Sequence, residues 1–249
     1  MFNASRLRLA LTSTLAAGTL VLTAHAGLQA QAGPAPDQLV ASLKQSLADS
    51  QKRLRQYQWI ETTAISLKGD EKSRKQQEVY YGADGKLTKL PVPGAAPAPP
   101  KQAPPSGGRG RLKERVVENK TSDMKDYMAR AAKLIQQYVP PSPERIQQAK
   151  DAGHVQVKPV DAGHARIEFA AFVQPGDLLA IDVDTAAAAL KTISVKTYLD
   201  SPDEAVTLDV RYGTLTDGTS YVAQTTLNAT AKQITVVVTN TGHRPLAAR

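Results

Sequence analysis

Histidines and cysteines decide which metal sites a chain can build, and this chain has four histidines and no cysteine. His25 lies in an N-terminal apolar segment, so His154, His164 and His243 remain for the folded part. No two of them stand at the short spacing of a zinc-binding helix, and thiolate ligands are absent. We therefore expect no metal ion and no other cofactor. We interpret His164 as a turn histidine that lies close to Asp161.

Three carboxylates follow one another closely at Asp177, Asp182 and Asp184. Asp182 and Asp184 stand two residues apart in a predicted strand, so they share a face and could serve as a general acid and a general base. Ile181 and Val183 alternate with them along the strand and so occupy its other face. We therefore expect both carboxylates to point to solvent rather than into a catalytic site.

Nucleophile and phosphate motifs are missing from the sequence. No serine stands in a G-x-S-x-G turn, and no glycine-rich segment leads from a predicted strand into a helix. Trp59 is the only tryptophan, so the aromatic platforms that sugar sites favour are missing as well. We predict that the protein is not an enzyme. A secreted hydrolase with an atypical site is the remaining catalytic alternative.

The elements that must position these residues follow from the spacing of apolar side chains. Helical spacing covers 37–56 and 121–139, and Ser142-Pro143 begins a short helix that ends at Gly153. The segment 112–118 is ambiguous between a strand and a helix start. Alternating patterns predict strands, each bounded by turn residues, over 59–67, 73–81, 87–91, 155–160, 165–173, 178–184, 190–199, 205–215, 219–229 and 233–240.

The C-terminal series of strands predicts an antiparallel meander with one apolar face, and such a face needs a cover. The predicted helices are the available cover. We therefore expect an α+β fold in which a curved antiparallel sheet, an unclosed half-barrel, wraps around a few helices. We predict that residues 37–249 form a single domain.

A segment rich in Pro, Ala and Gly interrupts this domain at 91–111. It has too few apolar side chains to offset the entropy of ordering it, so we predict a disordered insertion. Its basic residues could contact an anionic partner, or they could belong to an ordinary solvated loop. With the basic residues that follow, they are Lys101, Arg109, Arg111, Lys113 and Arg115.

The N-terminal residues 1–26 have the three parts of a secretory signal peptide: Arg6 and Arg8, an apolar run, and the cleavage site Ala24-His25-Ala26. A second candidate site would cut before Gly33. Residues 27–36 then form a flexible tether. Without a cysteine there is no lipobox, so we expect a periplasmic or secreted protein whose mature chain has no transmembrane anchor. Export also makes nucleic acid an improbable partner for the net charge of +8.

The order of elements, together with three short segments, resembles the periplasmic lipoprotein-carrier superfamily (LolA/LolB-like). The segments are 54–67, the hairpin sequence 212–219 and the closing strand 234–240. The chain is also similar to uncharacterised exported bacterial proteins over 124–142 and 198–202. The missing lipobox and the proline-rich insertion depart from the lipid-anchored members. The resemblance implies an unclosed barrel whose concavity holds acyl chains or an apolar segment of a partner, without catalytic residues.

Export, the one-sided sheet and the resemblance together predict a binding protein for a lipid or another apolar ligand. The alternative is a non-catalytic envelope interaction or sensing module, with a filled core and an envelope protein as its partner. Trp59 could line the mouth of a cavity or pack the first helix onto the first strand. The residues that we expect to line the apolar cavity are Trp59, Ile65, Phe169, Ile181, Ile193, Val195, Leu208, Val210 and Val236.

Overall fold

The computed structural model describes residues 36–92 and 108–246, with side chains over 42–92 and 122–246. The helices are α1 (Pro36–Leu54), α2 (Gly108–Ile135) and α3 (Pro143–Asp151), and Thr230–Lys232 form one 3₁₀ turn. The strands are β1 (Tyr57–Leu67), β2 (Asp70–Tyr81), β3 (Leu87–Pro91), β4 (Val155–Asp161), β5 (His164–Ala170), β6 (Leu178–Asp184), β7 (Ala189–Tyr198), β8 (Ala205–Thr214), β9 (Ser220–Ala229) and β10 (Ile234–Pro245).

All ten strands form one antiparallel sheet in the order β3-β2-β1-β10-β9-β8-β7-β6-β5-β4. Neighbouring strands in the sheet follow one another in the chain, except at the join between β1 and β10. There Ile65 lies opposite Val236, and Thr62 lies opposite Thr239. Within the described residues β3 and β4 do not pair with each other, so the sheet is not closed into a barrel. This confirms the predicted α+β fold with a curved, unclosed antiparallel sheet.

One face of the sheet, the inner face, is apolar because apolar residues alternate with polar ones along the central strands. In β8, Val206, Leu208 and Val210 are fully buried, whereas Asp209 and Arg211 between and after them are exposed. Burying a side chain of this size contributes about 1.5–3 kcal/mol. The hydrophobic core therefore lies between the inner face and the helices.

Helix α1 is attached at one end of the strands, next to the turn that joins β8 to β9. The backbone N–H of Ser220 donates to Ser50 Oγ at 3.0 Å, and Arg53 Nε donates to Thr219 Oγ1 at 3.0 Å. Ser50 and Thr219 are buried, so these bonds are shielded from water. They fix the C-terminal end of α1 above the start of β9.

Helix α2 is attached at the opposite end of the strands, next to the turn that joins β7 to β8. Arg130 forms an ion pair with Asp200 in that turn, and the Tyr138 hydroxyl, just beyond α2, bonds to Thr197 near the end of β7. Because β8 runs between the two turns, α1 and α2 cover opposite ends of the inner face. In the described part of the chain no helix is long and apolar enough to cross a membrane.

The boundaries of α2 differ from the prediction. The helix begins at Gly108, whereas Thr121 or Ser122 was the expected cap and 91–111 the expected insertion. The residues after Gly110 are mostly good helix formers, so they continue the helix despite the glycines before them. The ambiguous segment 112–118 is therefore helical. Residues 93–107, with Lys101, lie outside the described residues, as do the predicted signal peptide and nearly all of the predicted tether.

Candidate functional site

The register of the sheet arranges the predicted cavity residues in two adjacent rows on the inner face. The first row crosses seven strands through Phe169, Leu179, Val195, Leu208, Leu227, Val236 and Ile65. The second row runs through Ile167, Ile181, Ile193, Val210, Thr225, Val238 and Thr63. Eight of the nine predicted residues belong to these rows. Leu179, Leu227, Ile167 and Val238 were missed, although the alternation of their strands places them on the same face.

The middle of both rows is packed. Leu208 and Val210 are fully buried, and the side chains that pack in the same cluster come from α2 and the residues just after it: Tyr127, Met128, Ala131, Ile135 and Tyr138. Phe169, Ile193, Val195 and Val236 are also buried in this cluster. The floor of the predicted cavity is thus the hydrophobic core, and α2 covers it.

The cover is incomplete where the rows reach β10 and β1. Ile65 and Val238 are only partly buried, as are Tyr212 and Val222, which face each other across β8 and β9. These four residues, called here the half-covered patch, lie on four adjacent strands. Leu47 of α1 and Met124 of α2 are partly buried against the same core. An apolar ligand could therefore reach the core at this patch.

Tyr212 gives the half-covered patch one polar group. Burial raises the pKa of its hydroxyl to about 12. The group is therefore a neutral hydrogen-bond donor over the whole physiological range. Such a donor can orient an apolar ligand without adding charge to the site.

Trp59 lies apart from the two rows, at the start of β1. Its indole stacks on His243 with ring centroids 5.5 Å apart, and Tyr81 lies 6.1 Å away. The Nε1–H group donates to Asn240 Oδ1 at 3.1 Å. The side chain thus packs in a cluster from β1, β2 and β10. Burial lowers the pKa of His243 in this cluster.

Asp177 anchors the end of α2 to the sheet. Its buried carboxylate accepts a hydrogen bond from the Tyr138 hydroxyl at 2.5 Å. It also accepts bonds from the backbone N–H groups of the loop after β5, at Phe172, Val173 and Gln174, at 2.6, 2.9 and 2.8 Å. The carboxylate is fully engaged in holding the loop, and burial is the largest cause of the raised pKa of Tyr138.

Asp182 and Asp184 are separate from this anchor and have different partners. Asp182 pairs with Arg166 at 2.6 Å, which is the main reason that its pKa is lowered. Asp184 accepts bonds from backbone N–H groups of the following turn, and its pKa is lowered for that reason first. Asp182 and Asp184 are therefore each held by their own partners rather than arranged as an acid–base pair.

The other candidate residues have simpler surroundings. His164 Nδ1 lies 2.7 Å from Asp161 Oδ1, so the predicted turn contact is confirmed. Among the described residues no group of three His, Asp or Glu side chains is arranged to hold a metal ion. The backbone of the predicted anionic-partner residues Arg109, Arg111, Lys113 and Arg115 belongs to the first two turns of α2.

The comparisons with known proteins concern the fold. No protein-family model and no curated protein matches the sequence. Among solved structures, the chain is similar to a LolA superfamily protein from Nitrosomonas europaea, with a TM-score of 0.32 and 8% identity over 82% of this chain and 95% of that one. It is also similar to a DUF1329 family protein from Desulfovibrio piger, with a TM-score of 0.38 and 11% identity over 85% and 94%. Likenesses of this size assign no function.

Proposed function

We propose that the protein is an exported, non-enzymatic binding protein that holds a lipid, an acyl chain or an apolar segment of a partner against the inner face of its sheet. The observation that carries the proposal is the pair of largely apolar rows on the inner face. Helices cover the middle of these rows, whereas Val238 on β10 and Ile65 on β1 are only partly buried. The signal-peptide pattern supports export. Burial of the ligand would supply about 25 cal/mol per Å² of apolar area, before the ordering costs.

The first test looks for the ligand itself. The protein is expressed with its N-terminal segment, purified without detergent, extracted with organic solvent and examined by mass spectrometry. A fluorescent fatty-acid probe is titrated into a second, untreated sample of the purified protein. We expect co-purified lipid and saturable probe binding. If no lipid co-purifies and the probe does not bind, the proposal fails.

The second test places the ligand on the inner face. Val238 belongs to the half-covered patch, whereas its neighbour Val237 lies on the opposite face of the same strand. We expect Val238→Trp to fill the patch and weaken probe binding by about tenfold, the factor that corresponds to 1.4 kcal/mol. Val237→Trp is the matched control and should bind the probe like the unaltered protein. Equal binding by both variants would contradict a site at this patch.

The near-complete burial of Leu208 and Val210 favours a second candidate, an envelope interaction module with a filled core. The basic segment 101–115, with Lys101, Arg109, Arg111, Lys113 and Arg115, would then contact the partner. Replacement of these five residues by glutamine removes the positive charge and should abolish capture of an envelope partner in a pull-down. Unchanged capture would remove the role of this segment, and lipid in the extract would favour the first candidate.

A further inference from the structure

Two buried polar atoms beside α2 have no hydrogen-bond partner in the part of the chain that the structure describes. They are the hydroxyl oxygen of Tyr127 and Oε2 of Glu204. The Tyr127 side chain is 5% exposed. Buried polar atoms of native proteins are nearly always hydrogen-bonded, so an unpartnered pair requires an explanation.

The two atoms belong to elements that meet at one place. Arg130, one helical turn after Tyr127, pairs with Asp200, and Asp200 and Glu204 both lie in the β7–β8 turn. Lys232 of the 3₁₀ turn places Nζ 5.5 Å from the centre of the Tyr127 ring. We call the space around these atoms the Tyr127–Glu204 pocket.

Tyr127 connects this pocket to the hydrophobic core. Its ring packs in the core cluster beside Met128 and Ala131, and its hydroxyl is the polar end of the side chain. Burial first, and then the negative charge of Glu204, raise the pKa of this hydroxyl, so it remains a neutral donor. A ligand chain that lies beside the ring of Tyr127 would therefore end at a hydroxyl donor and a carboxylate acceptor.

The chemistry of this pair selects the head group. Tyr127 offers an O–H donor and Glu204 offers a carboxylate acceptor. A single hydroxyl group complements both, because it accepts from the first and donates to the second. A carboxylate cannot donate, and the charge of Glu204 would repel it. The nearby Arg130 is already paired with Asp200, and the Lys232 ammonium lies over the ring of Tyr127.

We propose that the Tyr127–Glu204 pocket binds the uncharged hydroxyl head group of an alkyl or acyl ligand and discriminates against a free carboxylate. This inference rests on the proposed function, since the chain of the ligand would lie against the inner face of the sheet, beside the ring of Tyr127. It adds a class of head group to that function. The ligand class would be long-chain alcohols and hydroxyl-bearing acyl esters.

The experiment compares decanol with decanoate as competitors of a fluorescent apolar probe, at a mildly alkaline pH where the acid is ionised. We expect decanol to displace the probe at a concentration about tenfold lower. Tyr127→Phe keeps the ring and removes the donor. It should therefore weaken the binding of decanol about fivefold, the effect of one hydrogen bond, and leave the binding of decanoate unchanged. Glu204→Gln removes the charge and adds a donor, so it should strengthen the binding of decanoate.

Tyr198→Phe is the matched control, because its hydroxyl bonds to the Pro175 carbonyl oxygen away from the pocket. It should leave both competitors unchanged. Equal displacement by decanol and decanoate, while the probe still binds, would overturn the head-group inference and leave the proposed function standing. A Tyr127→Phe variant that binds decanol normally would mean that only water bridges the two atoms, and would also overturn it. Failure of the probe to bind would overturn both.

Discussion

At the scale of single residues, Asp177 is a buried carboxylate that has no cationic partner among the residues that the structure describes. Its oxygens accept three backbone N–H groups and the Tyr138 hydroxyl, so the charge is balanced by oriented donors. Gln174 extends the network by donating to Thr197 at 3.0 Å. The sequence predicted only a turn at Pro175-Gly176-Asp177, because nothing in local spacing reveals that a tyrosine near the end of α2 meets this turn.

We expect Asp177→Asn to lower the free energy of unfolding by about 2–4 kcal/mol, since its amide would place a donor against donors that now find an acceptor. Urea unfolding followed by circular dichroism measures the change. Asp182→Asn is the matched control on the outer face, where an exposed ion pair contributes less than about 1 kcal/mol. A similar loss in both variants would refute the anchoring role of Asp177.

The raised pKa of Tyr212 leads to a prediction about the stability of the protein at alkaline pH. Its pKa is about 12 in the folded protein and about 10 in the unfolded chain. Between these values the unfolded chain loses a proton that the folded protein keeps, so stability is present below about pH 10 and falls as the pH rises. Tyr212→Phe should therefore reduce the decline by at most about 1.4 kcal/mol per pH unit. Urea unfolding at several alkaline pH values measures this, and an unchanged decline would contradict it.

At the scale of secondary-structure elements, the open edge at β4 is protected against pairing with other chains. Val157 and Val160 are exposed on this strand, which would favour association. Pro159 lacks an N–H group, and Lys158, which pairs with Glu168, adds charge. Both features are known ways of blocking an edge strand.

We expect Pro159→Val to shift the protein toward larger species in sedimentation velocity, because it restores a backbone donor on an edge that already exposes apolar side chains. Pro175→Ala, in the loop between β5 and β6, is the control and should sediment like the unaltered protein. A Pro159→Val protein with an unchanged sedimentation profile would show that the proline does not protect this edge.

The elements also show what local sequence can predict. Strands β4–β9 were predicted from alternation and from the turn residues between them. Alternation reflects a face with buried residues in β5–β9, whereas β4 is almost entirely exposed. The prediction ended β10 at Asn240, whereas the strand continues to Pro245. Residues 241–245 are polar and mostly exposed, and they are strand residues because Tyr57 and Gln58 of β1 pair with them. Pairing between distant segments has no local signal.

At the scale of the whole molecule, the residues of the predicted cavity divide into buried core residues and partly covered ones, and the sequence could not distinguish the two. Alternation identified the residues of the inner face but carries no information about how deeply helices cover each row. Leu208 and Val210 are therefore core residues, whereas Ile65 is partly open. The Tyr127–Glu204 pocket was not foreseen, because it depends on a helix, a hairpin turn and a 3₁₀ turn that meet only in the folded chain.

The proposed export predicts that the mature chain lacks the N-terminal signal peptide. If the N-terminal segment is a signal peptide, the protein recovered from the periplasm or the medium should begin at Gly27, or at Gly33 if the second site is used. Intact-mass measurement and N-terminal sequencing identify the first residue. Ala26→Pro should block cleavage at the first site and leave the second available. A full-length chain confined to the cytoplasm would refute export.

The join between β1 and β10 has a consequence for how the molecule assembles. Every other strand pair is between sequence neighbours, but this pair unites the two ends of the described chain. Contacts of such high contact order form slowly, since a long loop must close first. The β1–β3 hairpins must therefore wait with an unpaired edge until the last strand has been delivered. An unpaired edge of this kind is a site for unwanted pairing with other chains, and truncation of β10 would divide the sheet into two unconnected pieces.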